Sequence, residues 1–118
     1  MTANVRIFSY AGIVAARVQS GGGASFQTDS LFTLKQPYLA RETLTATASA
    51  AVESSTETSP KGTDLLRVEV QEGKIIHYEI NPPNRSVVAD TSSPTLSGAT
   101  NFNFGIGWTI SVFEMEVT

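Results

Sequence analysis

Hydrophobic side chains in this chain recur at every second residue. Leu66, Val68 and Val70 alternate with Arg67, Glu69 and Gln71, and Ile76, Tyr78 and Ile80 alternate with His77 and Glu79. That period lines one face of a pleated strand, whereas a packed helix needs an apolar stripe at about 3.6 residues per turn. No segment sustains such a stripe. Thr, Val, Ile and aromatics fill the segments, and nine Gly and five Pro punctuate them at short intervals, which is strand-and-turn chemistry. The expectation is an all-β fold: a single-domain antiparallel β-sandwich or small β-barrel of about seven to eight strands.

The 118 residues leave room for one core and little for a second domain. Eight Lys and Arg against eleven Asp and Glu give a net charge of −3, the wrong sign for the basic footprint of a nucleic-acid binder. Zero Cys excludes a disulfide scaffold, a thiolate metal site and a cysteine nucleophile. The one His, His77, falls on the polar side of its strand, beside Glu79 and near Arg67, and reads as a solvated surface residue. No Gly-x-Ser-x-Gly elbow is present. Gly21-Gly22-Gly23-Ala24-Ser25 lacks the Lys-Ser/Thr ending of a phosphate loop and reads as a connector, and Lys61-Gly62-Thr63 is only a fragment of one. The pairs Glu53 with Glu57 and Glu114 with Glu116 imply no apolar pocket. They read as solubilising, the latter pair as a guard against edge-to-edge aggregation. No enzyme, cofactor or metal site is expected.

Along the chain, residues 3–10 and 12–19 read as two strands separated by Gly12, or as one bent strand. The apolar run Ile7 to Ala16 is diluted by Ser9, Tyr10 and Gly12, and it is too short for a membrane span of about 20 residues. It reads as strand rather than as the core of a signal peptide. Met1 to Gly23 is thus an N-terminal strand or arm with a glycine-rich connector, and 24–118 the β core. Phe26 to Leu34 is strand-like, closed by Lys35-Gln36-Pro37. Arg41 to Ala48 fits an edge strand, with Thr43, Thr45 and Thr47 opposite Leu44, Ala46 and Ala48. Glu53 to Thr63 reads as an exposed polar loop.

Leu65 to Ile80 reads as a hairpin. A three-residue loop, Gln71-Glu72-Gly73, sets Val68 against Ile76 and Leu66 against Tyr78, with Gly73 at the left-handed position. Asn81-Pro82-Pro83-Asn84 stops the sheet. Asn84-Arg85-Ser86 matches a glycosylation sequon, with nothing else pointing to secretion. Asp90 to Asn101 reads as a polar, turn-rich connection. In the last segment the apolar set jumps from Trp108, Ile110 and Val112 to Phe113, Met115 and Val117. The jump predicts a bulge near Val112, or a strand buried on both sides.

Phe102, Phe104 and Trp108 cluster around Gly105 and Gly107. Core packing is the plain reading; the functional one is an apolar contact surface, since aromatic anchors dominate protein interfaces. Phe113, Phe8 and Tyr10 complete the interface candidates. No Lys or Arg lies between Asn101 and Thr118, so a stacking platform for single-stranded nucleic acid is excluded.

The run from Pro60-Lys61-Gly62-Thr63-Asp64 through Leu65 to Val70, Ile75-Ile76-His77-Tyr78-Glu79-Ile80-Asn81-Pro82-Pro83, Ser92 to Gly98 and Phe102 to Val112 is similar to small virion proteins of tailed bacteriophages. Those are of the capsid decoration (cement) or minor head type. The likeness covers about the last half of the chain. It implies a compact β domain bound in many copies to the major capsid protein lattice, a homo-oligomer with a trimer as the candidate state. It also implies a place on the virion head surface after synthesis in the host cytoplasm, with neither nucleic acid nor membrane as partner. It brings no catalytic residue. The alternatives are a head–tail connector or tail structural protein, and a ligand- or glycan-binding β module. On this view the segment before the triple glycine adds a strand to a neighbour's sheet.

Overall fold

The computed structural model describes residues 2–14 and 32–115. Eight strands build it: β1 (Thr2–Val14), β2 (Phe32–Thr47), β3 (Val52–Glu53), β4 (Leu65–Val70), β5 (Ile75–Asn81), β6 (Thr95–Ser97), β7 (Ala99–Asn103) and β8 (Thr109–Glu114). Two four-stranded sheets result, one in the order β2-β1-β4-β7 and the other β3-β8-β5-β6. All pairings are antiparallel. The fold is the expected β-sandwich.

Alternation sets what each sheet turns inward. Ala3, Val5 and Ile7 of β1, Leu44 and Ala46 of β2, and Leu66, Val68 and Val70 of β4 meet Ile76 of β5 and Ile110 and Val112 of β8 in one buried cluster. β2 is the edge strand that its threonines announced, with Thr43 and Thr45 exposed and Leu44 and Ala46 buried.

Several expectations are corrected. β4 and β5 do not pair; they lie in opposite sheets, so Leu65 to Ile80 is an arch across the core and not a hairpin. Glu72 and Gly73 both hold positive φ (59° and 67°) at the crossing, which rotates the chain out of one sheet and into the other. The inward rows stay those the pattern specified, but they face each other across the core. A second arch stacks on the first. β6 and β7, within the stretch read as a plain connection, run from one sheet to the other through Gly98, and the Val70 amide donates to the Gly98 carbonyl at 2.8 Å. β8 keeps an unbroken register with β5 from Asn81↔Thr109 to Ile76↔Glu114. There is no bulge at Val112, and of the two expected outcomes the strand buried on both faces is the one found. Glu114 therefore points inward from a central strand and guards no edge.

The polar stretch Glu53 to Thr63 is ordered rather than a loose loop. It holds a short 3-10 turn, Thr56–Thr58, and buries Ser54, Thr58, Ser59 and Thr63. Glu42 explains part of this, because one carboxylate oxygen accepts from the Ser55 amide (3.0 Å) and the Thr58 hydroxyl (2.6 Å). Ser59 Oγ donates to the Trp108 carbonyl at 2.7 Å. A hydroxyl-rich segment can enter a small sandwich because each buried hydroxyl finds a partner: Thr58, Ser59 and Thr63 donate to a carboxylate or carbonyl, and Ser54 accepts from the Ile110 amide.

β1 is a single strand through Gly12, and Thr2 to Tyr10 is no free arm. Within that stretch Val5 to Ser9 lies between β2 and β4 with both edges hydrogen-bonded, so it has no edge to lend a neighbour. The triple glycine and residues 15–31 lie outside the described residues. Beyond Tyr10 the β1–β4 pairing ends, while Ala11–Val14 continues to pair with Phe32–Lys35. The β1–β2 pair thus leaves the sandwich as a two-stranded ribbon, and the described residues span 59 × 32 × 26 Å.

Asp64 fastens the root of the ribbon. Its carboxylate accepts from the Gly12 amide at 3.1 Å, its amide donates to Tyr10 O at 2.9 Å, and its carbonyl accepts from the Phe104 amide at 3.0 Å. Asp64→Ala is expected to speed hydrogen exchange at Gly12 about tenfold, the weight of one partly exposed bond to a charged acceptor. Asp64→Asn, which keeps an acceptor oxygen, leaves it within about threefold. Exchange mass spectrometry on β1 reads both.

Candidate functional site

The ribbon root gathers aromatic and apolar side chains, of which Tyr38 and Leu39 are exposed. Between Ser9 (opposite Ala40) and Ala11 (opposite Lys35), two steps along β1 span five along β2. The surplus residues on β2 make a bulge that contains Pro37, whose missing amide suits an unpaired position. The bulge lays Tyr38 over the outer face of the sheet, its ring 5.3 Å from Phe8 and 6.3 Å edge-on from Tyr10. Tyr10 is thereby buried, as is Leu65 opposite it. Tyr38 and its neighbour Leu39 remain 38% and 43% exposed. Beside them Arg6, Phe8, Arg41, Glu42 and Thr43 line a shallow depression of about 310 Å³. Arg6 is tied at 3.0 Å to Glu69, which also accepts from Arg67 at 2.9 Å. The result is an apolar bump bordered by guanidinium groups.

The interface candidates separate into three groups. Phe8 and Tyr10 come together at this bump. Phe104 is buried in the core with Trp108 edge-on at 5.8 Å, and Phe102 packs 5.0 Å from Tyr78, so the C-terminal aromatics close the sandwich. Gly105 serves that packing: a Cβ there would lie 2.9 Å from the Trp108 ring nitrogen. Phe113 sits on the outer face of β8, 6.3 Å from His77. The sequence reading missed Tyr38 and Leu39. Lys35-Gln36-Pro37 looked like a strand end, and only the register jump shows that the strand resumes.

His77 is buried and not solvated. The segment from Pro82 to Pro94 folds back over the outer face of β5 and β8, and His77 Nδ1 lies 2.9 Å from the Ser93 carbonyl, placing the proton on Nδ1. Asn81 holds the same segment with both amide atoms on the Val87 backbone (2.9 and 3.1 Å), and Ser111 Oγ accepts from Ala89. Glu79 accepts from Ser93 Oγ at 2.6 Å and from Arg85 at 2.9 Å. These groups act as fasteners: the imidazole meets a carbonyl, and the Ser93 hydroxyl is spent on a carboxylate. Among the described residues no group of three His, Asp or Glu could hold a metal ion, and no helix is long and apolar enough to cross a membrane.

The Ser93 hydrogen bond, helped by Arg85 and opposed by partial burial, holds the Glu79 carboxyl below the usual glutamate range. A folded pKa below the unfolded one contributes stability that is whole above about pH 4.5 and is lost as pH falls through the folded value. The melting-temperature gap between the parent and Glu79→Gln should therefore be full at neutral pH and close in acid. A gap that persists at about pH 3 would show that the carboxylate charge is not what fastens the segment.

No protein-family model matches this chain, and neither curated proteins nor solved structures yield a match.

Proposed function

We propose that this chain is a structural protein that works by binding other protein subunits, and specifically a decoration protein of a tailed-bacteriophage head. The observation that carries the reading is the ribbon root. A two-stranded ribbon has little stability of its own in water, and here it projects beyond the sandwich next to an exposed Tyr38–Leu39 bump flanked by Arg6 and Arg41. Aromatic and aliphatic anchors with arginines at the border are the composition of protein interfaces. The sequence likeness to small virion proteins supplies the identity of the partner, the major capsid lattice. A chain that binds assembled shell in preference to free subunits stabilises the shell by mass action. Each copy needs an interface of only roughly 1,000–2,000 Å² to do so.

The test is a mass-spectrometric count of this chain in purified particles, relative to the major shell subunit. A ratio near one, or a simple fraction of it such as a trimer would give, supports decoration. A few copies per particle moves the chain to the head–tail connector or tail, where a projecting ribbon serves equally well. Its absence from particles overturns the virion reading.

A further inference from the structure

At the end of the sandwich opposite the ribbon, the two sheets part around a cavity of about 820 Å³. Its walls come from three places: Thr2, Thr47 and Ser49 at one sheet's end, Glu72 to Ile75 at the first arch, and Glu114 with Met115 at the end of β8. Glu114 is the unusual member. It continues the inward row of Ile110 and Val112, sits opposite Ile76, and is only 4% exposed. Yet among the described residues no donor is hydrogen-bonded to its carboxylate, and no Lys, Arg or His nitrogen lies within 4.0 Å of it. None of its side-chain oxygens is both sealed from solvent and unbonded, so the carboxylate opens onto the cavity it lines.

We propose that this cavity is a binding site for an organic cation, an alkylammonium group that reaches in and pairs with Glu114. Removing a carboxylate from bulk water is costly unless it is paired or hydrogen-bonded, and the place where a partner can approach is the cavity. A resident metal ion fits poorly, because no three His, Asp or Glu side chains converge among the described residues and hard cations take six or more oxygens. An alkylammonium fits better. Its head needs one carboxylate and a few further acceptors, for which the Ser49 hydroxyl has room, Thr47 Oγ1 being taken up by Ser49 and the Ala50 backbone, while its stem lies along Ile75 and Met115. Glu72 and Lys74 on the same wall offset one another, which leaves Glu114 as the unbalanced charge of the lining. The volume is that of a small-molecule site. The same chemistry is offered by a free diamine and by a lysine side chain of another protein. This inference is independent of the virion reading.

The experiment is an NMR titration of the full chain, uniformly labelled with 15N and with its glutamates carrying 13C at the carboxyl carbon. The probes are 1,5-diaminopentane, the uncharged analogue 1-pentanol, and Nα-acetyl-lysine methylamide. The expected result is a saturable shift of the Glu114 carboxyl carbon together with the Ile75 and Met115 amides, at least tenfold weaker with 1-pentanol. Glu114→Gln should weaken diamine binding at least tenfold. Ala48, next to Thr47, also lines the cavity; Ala48→Phe, which narrows it while leaving Glu114 in place, should do the same and guards against a variant that merely unfolds. Equal binding of the lysine derivative assigns the site to a protein side chain, and binding of the diamine alone assigns it to a free polyamine. Shifts that spread without saturation over Glu53 and Glu57, or that survive both substitutions, overturn the proposal.

Discussion

Leu66→Ala is expected to remove about 2–5 kcal/mol of stability and to lower the melting temperature by roughly 8–20 °C. Leu66 is fully buried in β4, flanked within its sheet by Ser9 and Phe102, and it faces the other sheet across the core. Truncation removes three heavy atoms from a site whose neighbours are locked in hydrogen-bonded strands, so little collapse can refill the space. Arg67→Ala, one position along on the outer face, is the control. It gives up a surface ion pair with Glu69 and should cost no more than about 1 kcal/mol. Thermal and urea unfolding followed by circular dichroism reads both. Equal losses would mean that β4 is not the inner strand described.

The second large effect concerns attachment. Leu39→Asp places a charge on the exposed bump at the ribbon root while disturbing nothing buried. On the proposed reading it should reduce the occupancy of shells that lack the native chain by about 30-fold, the weight of one interface anchor of about 2 kcal/mol. Val88→Asp makes the same charge change at a 65% exposed site on the segment over the other sheet and should leave occupancy unchanged. Both variants should melt within about 2–4 °C of the parent, as surface substitutions do. Undiminished loading of Leu39→Asp would exclude the bump as the contact.

What the sequence made legible was faces, and what it concealed was partners. Alternation in Leu66-Val68-Val70 and Ile76-Tyr78-Ile80 identified every inward side chain of β4 and β5. A period of two is the same for a hairpin and for an arch, so it could not say that the two rows meet across a core. β6 and β7 escaped notice because each turns few large apolar residues inward, chiefly Leu96 and Phe102, the rest being the Ser, Thr and Asn of edge strands. His77 was misplaced because its polar side is roofed by the Pro82 to Pro94 segment, and a loop that folds back leaves no periodic trace. Glu114 is the instructive case. The break in alternation after Val112 was visible, and its cause is a carboxylate kept on the inward row without a bulge. As for the bump, Phe8 and Tyr10 were legible as candidates, but Tyr38 and Leu39 depend on a register jump that only pairing reveals.

The order in which strands leave the ribosome has a consequence for how the chain becomes a protein. β8 follows the other seven strands in the sequence, yet it holds an inner place in its sheet, bonded to β5 on one side and β3 on the other. Until Thr109 to Glu114 have been synthesised, β5 has only the three residues of β6 beside it, and Ile76 and Ile80 lie bare. The opposite sheet likewise waits for β4 to reach β1 and for β7 to reach β4. Pairings this distant in sequence close slowly, and half-built sheets with open edges invite association between nascent chains. A chain stopped short of Thr109 should therefore collect in the insoluble fraction, where the chain through Glu114 and beyond stays in solution.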